Sequence, residues 1–277
     1  MTRPRAIAVL VALASVAAGY GVFRLVHHEL GPVVPPIVAR DADAHRLLSG
    51  SVPARIDRLL HDRPPPLAER SGNPRLIALT FDDGPYPVET PLLLDMLATL
   101  HVRATFFLIG NDAEHFPQLV RRIASAGDEI ANHTQTHPAD FQALSAAEVT
   151  SELDRAARTL DRYARDPAIR TMMRPPHGRF TEATVSAAQR DGYDVVLWDD
   201  DPGDWRVITP QAIATHMEAN ATAPDIVLLH SGRLSTIEAL PEVVARFRAA
   251  GFSFVTVGAL RARVPLAQIL HPAKFRV

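Results

Sequence analysis

Seven short β-rich runs alternate with stretches of helical periodicity, and this alternation constrains the chain more than any other feature. The runs are Leu76–Phe81, Ala104–Ile109, Glu129–Asn132, Thr171–Arg174, Asp194–Asp199, Ile226–His230 and Phe252–Val257. Strands separated by helices pair in parallel, so the pattern predicts an α/β fold, either a β/α barrel or a doubly wound sheet. Helix starts are written into the gaps. Ser145-Ala146-Ala147-Glu148 matches a capping box, with Val149, Leu153, Ala157 and Leu160 following on one face. Thr209-Pro210 supplies an N-cap with proline at the first helical position. A helix opening at Ser235 can close at Gly251.

The residues before Arg75 follow other rules. Arg3 and Arg5 precede an uncharged run from Ala6 to Phe23, closed by Arg24. Its length lies between a secretory signal core and a membrane span, and Ser15-Val16-Ala17 resembles a small-x-small cleavage site. Residues 1–26 therefore read as a signal peptide or a membrane anchor, with a buried N-terminal helix as the plain alternative. Either export reading puts the rest of the chain outside the cytoplasm, in the cell envelope, periplasm or medium. Residues 27–74 hold eight of the 23 prolines and read as a Pro-rich linker or surface wrap. The β/α region spans 75–265, and 266–277 form a tail.

Composition removes several classes of chemistry. The chain has no cysteine, which excludes disulfides, thiolate metal sites and a cysteine nucleophile. A formal net charge of −2 gives no reason to expect nucleic acid as a partner. Any metal must be held by histidine and carboxylate.

Polar residues gather at strand ends. Asp82 and Asp83 follow the first strand, and His133 the third. Arg174 ends the fourth, Asp199 to Asp201 the fifth and His230 the sixth. In a β/α barrel these ends open on one face, where the chemistry is done. Adjacent carboxylates diverge, so one of the Asp82-Asp83 pair can face a metal and the other a proton. His133 and His137 are four apart, a spacing that brings two imidazoles to one side of a helical turn. Two histidines and one carboxylate with an open position form a recurrent catalytic zinc arrangement, so Asp83, His133 and His137 form a candidate triad. Arg174 can clamp a carboxylate through a two-pronged bond. Trp198 and Trp205, the two tryptophans of the chain, flank a run of aspartates that suits a sugar face.

Thr80-Phe81-Asp82-Asp83-Gly84-Pro85, His133-Thr134-x-x-His137, Arg174-Pro175-Pro176-x-Gly178, Asp201-x-x-Asp204-Trp205 and Leu228-Leu229-His230 occur in that order. The set resembles the NodB-type polysaccharide deacetylases, carbohydrate esterase family 4, over about two-thirds of the chain. The resemblance implies a distorted β/α barrel of about seven parallel strands and a divalent metal, zinc foremost, with Co(2+) or Ni(2+) also admitted. It implies removal of acetyl groups from N-acetylated sugars of a polysaccharide by attack of metal-bound water. Asp82 would be the general base, oriented by Arg174, and His230 the general acid, supported by Asp201. Asp83, His133 and His137 would be the metal ligands. Pro176, His177, Trp205 and Leu228 would face the substrate, with the His177 backbone N–H as an oxyanion donor. His177 departs from the aromatic residue usual at its position. Two further readings stand beside this one: an O-acetyl esterase, and a non-catalytic glycan-binding envelope protein. The implied partner is an acetylated glycan, with a membrane contact through residues 6–23 if that segment is uncleaved.

Overall fold

The computed structural model describes residues 75–263 apart from Val207 and Ala221. The proposed signal or anchor at 1–26, the Pro-rich stretch at 27–74 and the tail at 266–277 lie outside the described residues. No helix among the described residues is long and apolar enough to cross a membrane.

The described residues form seven parallel strands: β1 (Leu76–Asp82), β2 (Thr105–Leu108), β3 (Glu129–Asn132), β4 (Met172–Met173), β5 (Asp194–Val195), β6 (Asp225–His230) and β7 (Ser253–Phe254). Helices α1 (Glu89–Thr99), α2 (Gly110–His115), α3 (Pro117–Ala126), α4 (Ala146–Asp161), α5 (Glu182–Arg190), α6 (Pro210–Asn220), α7 (Leu234–Ala249) and α8 (Val257–Arg261) fill the connections. The strand order is β5-β4-β3-β2-β1-β6, with β7 beside the first two residues of β1. Beyond β5 the chain runs on to Asp200, which bridges Val227 of β6. The segment from Asp194 to Asp200 therefore touches β4 at one end and β6 at the other, and curls the sheet into a distorted barrel. Outside the ring, the Asp200 carboxylate meets His216 Nε2 of α6 at 2.8 Å.

All seven residues of β1 are buried, as expected of a parallel strand covered on both faces. Alternation by two then decides which side chains point inward. Leu76, Ala78, Phe107, Ala131, Met172, Val196 and Ile226 form one buried cluster inside the barrel. Two residues further along the same rows stand Thr80 and then Asp82, His133, Arg174, and Leu228 and then His230. The chemistry-bearing residues are thus the upper continuation of the core, lifted to the barrel mouth by strand period alone.

The helix signals hold in the structure. Ser145 and Glu148 form a reciprocal capping box on α4. Thr209 Oγ1 accepts from the Ala212 N–H at the start of α6. The seventh helix begins at Leu234, one residue before Ser235, and Gly251 follows it with a left-handed φ of 83°.

Candidate active site

Asp82 ends β1, 5% exposed, and its carboxylate has one dominant neighbour. Arg174 Nη1 donates to Asp82 Oδ1 at 2.6 Å and to Thr80 Oγ1 at 2.7 Å. Arg174 Nε and Nη2 donate to the carbonyls of Val196 and Leu197, each at 3.1 Å. The guanidinium is wholly buried and stacks 4.1 Å from the Phe107 ring centroid. One planar fork therefore ties β1 to the segment that closes the barrel, and holds Oδ1 while Oδ2 faces the histidines. Burial raises the Asp82 carboxyl above the ordinary carboxylate range, against the opposing charge and hydrogen bond of Arg174. That makes it a better proton acceptor than a surface aspartate.

Asp83 stands in left-handed backbone, with φ 69°, and this turns its side chain away from that of Asp82. Asp83 Oδ1 lies 3.7 Å from His133 Nε2 and 3.4 Å from His137 Nε2, and the three donor atoms fall within 4.8 Å of one another. His133 is 1% exposed, and its Nδ1 meets the Arg174 carbonyl at 2.9 Å. A carbonyl only accepts, so the proton sits on Nδ1 and the Nε2 lone pair is aimed at Asp83. Burial drives His133 down to about 3, which leaves it neutral and ready to ligate at physiological pH. Ligand atoms around a tetrahedral zinc with bonds of about 2.0–2.1 Å stand roughly 3.4 Å apart, so the separations and the donor set fit a divalent cation.

The two histidines do not share a helical turn, contrary to the sequence expectation. β3 stops at Asn132, and Thr134 and His137 both take left-handed φ, at 67° and 53°. The loop is held by side chains instead. Asn132 Oδ1 accepts from the Thr134 N–H, Thr134 Oγ1 from the His137 N–H, and Glu152 Oε2 of α4 from the Thr136 N–H. Asn132 also donates to the Leu153 carbonyl of α4.

His230 sits across the mouth from His133. The structure corrects its supporting residue. Asp204, not Asp201, accepts from the His230 N–H at 2.8 Å and meets His230 Nδ1 at 2.7 Å, while Thr236 donates to the same carboxylate at 2.7 Å. Asp201 is turned back on its own loop and accepts from the Gly203 N–H. The tight turn through Gly203, with φ 72°, delivers the last aspartate of the Asp201-x-x-Asp204 motif rather than the first to His230. Burial resists charging of His230, but the hydrogen bond and charge of Asp204, with the charges of Asp82 and Asp83, outweigh it and raise its pKa.

The remaining substrate-facing candidates separate by depth. Pro176 is buried, and Leu228 is 5% exposed in the row beneath His230. The His177 ring lies edge-on to His137, with centroids 4.6 Å apart, on backbone with φ 56°. Burial lowers the His177 pKa. No backbone partner takes its N–H among the described residues. Trp205 stands on the rim, 46% exposed, under the Arg206 guanidinium at 4.5 Å. Trp198 packs inward instead. A Cβ on Gly178 would meet its ring at 2.4 Å, and Arg174 lies 5.6 Å from its centroid. Thr80 and Thr236 escaped sequence reading, although Thr80 stands in the strand row directly beneath Asp82.

A parallel barrel with a clamped carboxylate and an opposed histidine at its mouth, beside a group of Asp83, His133 and His137 that could hold a metal ion, defines a hydrolase-type site. The polysaccharide deacetylase family model matches residues 69–196. A peptidoglycan-N-acetylglucosamine deacetylase of Bacillus cereus is 36% identical over 199 residues, covering 69% of this chain and 91% of that protein. A chitooligosaccharide deacetylase of Bradyrhizobium is 40% identical over 158 residues, 57% of this chain and 71% of that one. Among solved structures, a peptidoglycan N-acetylglucosamine deacetylase in complex with 4-naphthalen-1-yl-N-oxidanyl-benzamide superposes with a TM-score of 0.65 at 32% identity, over 68% of this chain and 88% of that one. A family pseudoenzyme of Bacillus anthracis superposes with a TM-score of 0.64 at 25% identity, over 68% and 66%. The chain belongs to the polysaccharide deacetylases, carbohydrate esterase family 4.

Proposed function

We propose that this protein hydrolyses the N-acetyl groups of an acetylated glycan, using a divalent cation held by Asp83, His133 and His137. The carrying observation is the meeting of that three-atom donor cluster, the Arg174-clamped Asp82 and the Asp204-backed His230 at one mouth. The names of the relatives, which include deacetylases of peptidoglycan and of chitooligosaccharides, support an acetylated amino sugar as the substrate. A cation bound there, zinc by its preference for imidazole and carboxylate, supplies Lewis acidity and lowers the pKa of a coordinated water.

The chain's own residues supply the rest. Asp82 accepts the proton of the attacking water through its free Oδ2, while Arg174 fixes Oδ1. The His177 N–H points a dipole at the oxygen that gains charge as the carbonyl is attacked, and one such donor is typically worth about 3 kcal/mol. His230, with Nδ1 engaged by Asp204, presents Nε2 to the departing amine and protonates it. An amide nitrogen leaves poorly without that proton, so the acid is required. Products are acetate and a free amino sugar. We further propose that the enzyme works outside the cytoplasm, on the strength of the basic-then-apolar run at residues 3–24.

Acetate release from N-acetylated glycans, with chelator and then with zinc restored, tests the reading. Activity is expected to vanish on chelation and return with metal. Asp82→Asn is expected to keep bound zinc and lose turnover, and His133→Ala to lose both. Chelator-insensitive release, or a metal-replete and fully active Asp82→Asn, would overturn it.

A further inference from the structure

The loops of the mouth carry features the reaction does not use. Three large apolar side chains are exposed among the described residues: Val88 and Trp205 on loops that leave strand C-termini, and Leu234 at the first position of α7, just after β6. Two of them adjoin arginines. Arg206 stacks on Trp205, and Arg233 precedes Leu234. A third arginine, Arg179, lies two residues beyond His177 and is near enough for its charge to depress the His177 pKa, behind burial and His137.

These arginines occupy neighbouring positions on the ring. Arg179 follows β4, Arg206 follows the β5 segment and Arg233 follows β6, and that segment joins β4 to β6 through the bridge of Asp200 to Val227. All three side chains are exposed. Among the described residues no carboxylate lies within salt-bridge distance of any of them. Elsewhere on the surface Arg122, Arg158, Arg170, Arg246 and Arg261 are each paired with one, while Arg103, Arg165 and Arg190 have no such partner among the described residues. The nearby aspartates are committed inward, Asp204 to His230 and Asp201 to the Gly203 N–H. The exposed acids of this arc are Glu182 and Glu238. Acidic groups gather on the adjoining loops after β1 and β2: burial first, then the charges of Asp83, Asp112 and Glu89, raise the Tyr86 hydroxyl, while Arg233, at the border between the two sets, opposes them.

We infer that the arc of Arg179, Arg206 and Arg233, with Trp205 as a stacking face, selects a glycan strand bearing carboxylates over a neutral one. The inference rests on the deacetylase reading of this site and names its substrate class. An unpaired guanidinium offers a planar fork to a carboxylate, and an exposed indole takes a sugar ring face-on. Lactyl ether carboxyls, peptide carboxyls attached to the strand and uronic acids share this chemistry.

The test is the ratio of kcat/KM on an acetylated acidic strand to that on a neutral acetylated oligosaccharide of equal length. Three acidic probes separate the sources: muramyl strands stripped of peptide, the same strands with peptides retained, and an acetylated strand containing uronic acid. The wild-type ratio is expected to exceed one, to fall with added salt, and to fall when the carboxyls are amidated. In the triple variant Arg179→Gln, Arg206→Gln, Arg233→Gln the ratio is expected to drop by about tenfold, roughly twofold for each exposed contact. A ratio is insensitive to the fraction of variant that folds. The same comparison by calorimetric binding to Asp82→Asn needs no turnover. A binding preference without deacetylation of any probe would uphold the arc and refute the deacetylase reading. A ratio near one, or one untouched by the triple substitution, would overturn the arc and leave that reading standing.

Discussion

Asp204→Asn separates the electrostatic support of His230 from its mere placement. The carboxylate is fully buried and takes three donors: the His230 N–H, His230 Nδ1–H and the Thr236 hydroxyl. Asparagine keeps the shape but offers one accepting oxygen, so an amide N–H must face a donor. A hydrogen bond between charged partners is worth about 1.5–3 kcal/mol, so kcat/KM is expected to fall by roughly ten- to a hundredfold. The pH profile carries the sharper signature. His230 must be protonated to act as the acid, and its pKa is raised chiefly because Asp204 and the neighbouring aspartates overcome burial. Removing that charge lowers the pKa, so the alkaline limb of kcat/KM against pH should move to lower pH, while the acid limb, set by Asp82, stays. Asp201→Asn, whose carboxylate accepts from the Gly203 N–H of its own loop, should leave the alkaline limb where it is. Steady-state kinetics across pH on zinc-loaded protein measures both. An alkaline limb that moves with Asp201→Asn and not with Asp204→Asn would refute the assignment.

Three further outcomes are expected. Arg174→Lys keeps a charge but loses the fork to Thr80, Asp82, Val196 and Leu197; breaking a buried pair costs about 3–5 kcal/mol, to be seen in denaturant unfolding together with lost turnover. Gly178→Ala meets Trp198 at 2.4 Å on backbone with φ 65°, so destabilisation of about 1–3 kcal/mol is expected, and an unchanged melting curve would contradict the packing. In metal-free protein His133 is buried neutral, about 3 against an unperturbed 6.5, so the unfolded chain binds its proton first as pH falls. The stability difference between wild type and His133→Asn should therefore shift against wild type by up to about 5 kcal/mol as pH drops from above 6.5 toward 3, and a pH-independent difference would count against the burial.

The strand positions were legible because parallel strands buried on both faces carry continuous apolar runs, as in Leu76–Leu79 of β1 and Ile226–Leu229 of β6. Their true extents were less so. β4, β5 and β7 keep only two paired residues each, since ladder length depends on twist and closure rather than side-chain type. The strand-end residues of the site were legible for a related reason: period two carries Asp82, His133, Arg174 and His230 straight up from the core rows. The His133–His137 loop was misread because a spacing of four suits a helix as well as two left-handed residues, and only the bonds from Asn132, Thr134 and Glu152 decide. Asp201 and Asp204 are indistinguishable as letters. The choice between them is made by the turn at Gly203 and by Thr236, which lies 32 residues further along the chain.

Arg174 gives the molecule a mechanical property. The guanidinium that orients Asp82 also staples the 194–200 segment, and that segment holds the ring shut through two paired residues and one lone bridge. This is a thin seam of the barrel, comparable with the single pair that joins β3 to β4. Should it part under gentle heating or mild denaturant, the base is released while the remaining strands still hold. The enzyme then falls silent before it melts, and its working range is set by the strength of one joint rather than by the whole fold.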